Sequence, residues 1–74
     1  MKIEITERKT ARLIEIAELV QETLGSDIAN LIKECLVNKE FITRKEIESF
    51  NERFILLNEN NVKVLREVLE IVFE

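Results

Sequence analysis

The chain has no histidine, tyrosine, tryptophan or proline, and only one glycine, one cysteine and one methionine. Without histidine, the usual general base near neutral pH and the commonest zinc ligand are both missing. Cys35, being alone, cannot form a disulfide within the chain. There is no glycine-rich phosphate loop, and no nucleophile has a base at a recognisable spacing. The protein is therefore expected not to be an enzyme, and to use no cofactor, metal or small-molecule substrate. Carboxylate pairs such as Glu15 with Glu18 and Glu67 with Glu70 read as solvated helix faces. No apolar run approaches the roughly 20 residues of a membrane span. The opening MKIEITERKT lacks the apolar centre of a secretory signal, and a single free thiol fits a reducing compartment. A cytoplasmic protein without a membrane partner is expected.

What is present is apolar and acidic. Hydrophobic residues make up 46% of the 74, and the formal net charge is −4. Residues 1–12 sum to +2, residues 13–42 to −4, residues 43–57 to zero and the tail to −2, so only the N-terminus is basic. That balance opposes a protein that simply coats nucleic acid. The length allows one domain, residues 1–74. A chain this short buries only about 60% of its unfolded surface. With disulfides excluded and metal unfavoured, oligomerisation is the remaining source of extra stability, and a homodimer is expected.

The hydrophobic periodicity predicts an all-α, four-helix domain with helices near 8–24, 26–38, 43–57 and 61–73. Ile3 and Ile5 alternate with Lys2, Glu4 and Thr6, which reads equally as a short N-terminal strand or as a frayed helix start. In the first helix Leu13, Ile16, Ala17, Val20 and Leu24 share a face. Gly25 can close that helix and Ser26 can cap the next, making a tight corner. Ile28, Leu31, Ile32, Cys35 and Leu36 form the second stripe, so Cys35 is expected to be a buried, inert thiol without a cationic neighbour. The third helix has the clearest signal: Thr43 and Glu46 at capping-box spacing, with Ile42 and Ile47 at staple spacing. Ile47, Phe50, Phe54 and Leu57 continue its apolar face. The polar break NENN precedes a last helix whose apolar face is unusually wide. Leu65, Leu69 and Val72 would pack on the core, leaving Val64, Val68 and Ile71 for a dimer interface.

One charge pattern opposes local stability. Arg8, Lys9 and Arg12 crowd the start of the first helix, against its macrodipole, at a cost of roughly 0.3–1 kcal/mol each. Either nearby carboxylates neutralise them, or an anionic ligand does: DNA phosphate or an acidic protein surface.

Residues 2–37 resemble the ribbon-helix-helix family of dimeric DNA-binding regulators. The resemblance lies in the strand-like KIEIT, a helix of about residues 8–24, the Gly25 corner and the second-helix run ANLIKECL. It implies that the strands of two subunits pair and enter the major groove, with Lys2, Glu4 and Thr6 facing the bases and Ser26 and Asp27 at a phosphate. Glu4 and Asp27 place acids where the family carries basic or amide side chains and a phosphate contact, although glutamate can accept from cytosine N4. Two functions follow as expectations. The first is a small non-enzymatic regulator or inhibitor acting through protein–protein contact. The alternative is a ribbon-helix-helix transcriptional regulator. For either, Lys2, Glu4, Thr6, Arg8, Lys9 and Arg12 are the candidate binding residues.

Overall fold

Of the two readings of the N-terminus, the strand is the one observed: Ile3 within it and Ile5 just beyond it turn toward the core. A computed structural model describes residues 2–74 as β1 (Lys2–Glu4), α1 (Glu7–Thr23), α2 (Ser26–Leu36), β2 (Phe41–Thr43), α3 (Arg44–Leu57) and α4 (Val62–Phe73). The class is the expected one, mostly helical with four helices and an N-terminal strand. The strand's partner, β2, was not evident from the sequence. The two pair antiparallel, with Lys2 opposite Thr43, Ile3 opposite Ile42 and Glu4 opposite Phe41. The Ile5 amide extends the ladder by donating to the Glu40 carbonyl at 2.8 Å. Ile42 is fully buried and Ile3 half-buried beneath the ribbon, while Lys2, Glu4 and Phe41 face outward.

Each helix is bounded by its own end chemistry. The Thr6 hydroxyl accepts from the Lys9 amide at 3.2 Å and caps α1. At the corner, the Leu24 and Gly25 amides both donate to the Val20 carbonyl. Gly25, at φ 101° and ψ 173°, occupies the N-cap position of α2. Ser26 is therefore the first helical residue, and the side-chain cap expected from it is not formed. The second helix also stops short of the expected residue 38. Val37 turns extended and buries its side chain, and Asn38 takes the left-handed conformation at φ 70°. Asparagine tolerates that region better than other non-glycine residues. The chain then turns directly into β2.

The core lies between the helices. Leu13 and Ala17 of α1, Ile32 and Leu36 of α2, Phe50 and Phe54 of α3, and Val68 and Val72 of α4 are at most 1% exposed. Phe50 and Phe54 meet with ring centroids 5.9 Å apart at 58°, the tilted geometry that aromatic quadrupoles favour. Among the described residues no polar or charged side chain is buried, so packing and helix caps carry the stability without a buried ionic network.

Candidate functional site

The basic N-terminal residues separate into two groups. Lys9 Nζ donates to the Val72 carbonyl at 2.8 Å and to the Glu4 carbonyl at 3.2 Å. Arg12 pairs with Glu74. Both side chains thus meet the C-terminal end of α4, where a helix carries partial negative charge and carbonyls without partners. Charges that oppose the dipole of α1 complement that of α4. Arg8 remains exposed, with no ion pair among the described residues. Of the other expected binding residues, Lys2 stands over the Phe41 ring at 5.9 Å, Glu4 is exposed, and Thr6 serves as the α1 cap. Ser26 and Asp27 are both exposed at the start of α2.

The interface expected on α4 is corrected by burial. Val68 is 0% exposed and Ile71 3% within a single subunit, and Val64 is half-buried, so this side packs on the protein's own core. Because α4 packs against both α1 and α3, more of its wide apolar face is used internally than one core-facing side would need. Among the described residues, the large apolar side chains left in water are Val62 and Phe73 of α4, Ile55, Leu56 and Leu57 at the end of α3, Leu19 of α1 and Phe41 of β2. Leu57, expected on the α3 core face, is 51% exposed, because that face ends at Phe54. Leu56 is the most exposed, at 82%. Leu19 lies in a shallow depression lined by Glu15, Glu18 and Glu22, an acid-rimmed apolar spot.

Two further expectations change. Cys35 is half-buried, and Arg53 Nη1 donates to its Sγ at 3.4 Å, so a cation does stand beside it. Arg53 comes from α3, eighteen positions away, a neighbour that spacing within α2 cannot reveal. The capping box of α3 is complete: the Glu46 amide donates to the Thr43 hydroxyl, and the Thr43 amide donates to Glu46 Oε1 at 3.0 Å. Lys39 Nζ approaches Glu46 Oε2 at 2.6 Å. This ammonium, followed by the Thr43 donors, lowers the Glu46 pKa from 4.5 to about 2. The charge here stabilises a helix start.

Among the described residues, no three histidine, cysteine, aspartate or glutamate side chains gather as a metal site. No described helix is long and apolar enough to cross a membrane. The features that stand out are surfaces: an acid-rimmed leucine on α1, an apolar tip on α3 and an open apolar groove on α4. Compared with known proteins, the chain matches no family model, no curated protein and no solved structure.

Proposed function

We propose that the protein is a small non-enzymatic regulator or inhibitor that acts in the cytoplasm by binding another protein. The observation that carries this reading is the exposure of large aliphatic side chains, Leu19 at 64% and Leu56 at 82%, on a domain of net charge −4. A singly exposed leucine is ordinary, but Leu19 set among Glu15, Glu18 and Glu22 offers an apolar anchor with a charged rim. The carboxylates around Leu19 favour a basic partner, because complementary charge speeds encounter and rejects acidic surfaces. This reverses the sign expected from Arg8, Lys9 and Arg12, since two of those three cations have partners inside the chain.

A dimeric DNA-binding regulator of the ribbon-helix-helix type is the second reading, favoured by the N-terminal strand with Lys2 and Glu4 exposed. Against it, β1 pairs with β2 of its own chain, and Thr6, Lys9 and Arg12 are engaged elsewhere. That leaves Lys2 and Arg8 for phosphate.

Capture from a nuclease-treated host extract, using the wild type beside Leu19→Ser and Leu56→Ser, tests the choice. The expected result is one partner, retained after nuclease and lost or weakened with either variant. Capture that needs nucleic acid, together with a gel shift by the purified protein that declines on neutralising Lys2 and Arg8, would replace the first reading with the second.

A further inference from the structure

We propose that α4 packs antiparallel against α4 of a second copy of this chain, across a two-fold axis near the middle of the helix. Along its open side runs a shallow groove of about 470 Å³, lined by Val62, Leu65, Arg66, Leu69, Glu70 and Phe73. Val62 and Phe73 stand at its two ends, 56% and 55% exposed, and half-buried Leu69 lies between them. These positions follow one another at steps of three, one, three, one and three, so the set is unchanged when the helix is reversed. A two-fold axis perpendicular to the helix brings Val62 of each copy toward the partner's Phe73 and lays the edge bearing Arg66 and Glu70 along the same edge of the second copy.

The charges on that edge choose the occupant. An isologous interface places the same patch on both sides. In an antiparallel helix pair the same edge of each helix meets. Arg66 of each copy then faces the partner's Glu70, giving two equivalent ion pairs beside a seam of Val62, Leu69 and Phe73. A parallel pair would set this edge against the opposite one, which carries Leu65, and leave both charges unmatched. Within the subunit neither Arg66 nor Glu70 has an ion-pair partner among the described residues. Stable dimers bury roughly 800 Å² per partner. The dimer does not depend on the regulatory reading, and either can fail alone.

Sedimentation equilibrium of the full chain at micromolar concentration tests it. The wild type is expected at twice 8.7 kDa. Arg66→Glu or Glu70→Arg alone turns two attractions into two repulsions and should weaken the dimer by about tenfold. The double reversal should restore it. Both positions are exposed, so the far-ultraviolet circular dichroism of each variant should match that of the wild type, which separates dissociation from misfolding. Phe73→Asp should give the monomer. A wild type at 8.7 kDa would overturn the proposal. So would a dimer indifferent to both single reversals, or a double reversal that stays as weak as the singles.

Discussion

Lys9 and Val72, 63 positions apart, are joined by a hydrogen bond of 2.8 Å from the ammonium to the carbonyl. The same ammonium reaches the Glu4 carbonyl, so one side chain ties the end of β1, the first turn of α1 and the last turn of α4. Lys9→Met keeps the aliphatic stem and removes the donor. It should destabilise the fold by about 1–2 kcal/mol, the range for a charged hydrogen bond together with a helix-end charge. Arg8→Ala should change stability by less than about 0.5 kcal/mol. Denaturant melts distinguish them, and equal effects would mean that the Lys9 contact contributes nothing.

The α3 cap makes a second prediction. Thr43→Ala removes the acceptor of the Glu46 amide and the hydroxyl that donates to Glu46 Oε1. A loss of about 1–2 kcal/mol is expected in a denaturant melt. Thr43→Ser, which keeps the hydroxyl, should recover most of it.

Glu46 predicts a pH dependence whose sign is fixed. Its folded pKa, about 2, lies below the unfolded 4.5, so the unfolded chain binds the proton more readily. The stabilisation is complete above 4.5 and is lost as pH falls from there toward 2. Glu46→Gln can keep the cap geometry but cannot hold the charge beside Lys39. Its stability should fall short of the wild type at pH 7, and the two curves should converge near pH 2. A constant gap across that range would assign the effect to packing.

The elements readable from sequence were those whose signals are local. The Thr43–Glu46 box and the Gly25 corner depend on residues within four positions of each other, whereas the alternation of Ile3 and Ile5 left strand and helix start equally open. β2 was illegible because Phe41–Thr43 is three residues long and gains its meaning from pairing with β1, about 39 positions away. The α4 surface was misplaced for a related reason. A helical face can be read from sequence, but its division between core and solvent depends on how many neighbours pack on it. The partners of Lys9 and Arg12 were equally hidden, since both lie at the far end of the chain.

Gly25 gives the last prediction, and its cause can be isolated. The residue sits at φ 101° and ψ 173°, a region essentially reserved for glycine. A Cβ built there meets nothing within 4 Å, so steric collision with the rest of the fold contributes nothing to its replacement. Gly25→Ala should therefore cost about 1–3 kcal/mol through backbone strain alone. Asn38 provides a contrast. At φ 70° it lies in the left-handed region, where glycine is at ease, so Asn38→Gly should be near neutral. The decisive variant is D-alanine at position 25, placed by chemical synthesis. Mirror inversion turns the observed angles into ordinary extended backbone for a D residue. It should fold at least as stably as the wild type, because its unfolded chain has less conformational freedom than one with glycine. If D-alanine and L-alanine destabilise equally in thermal melts, backbone strain is not the cause, and the corner rejects the added methyl group whatever its handedness.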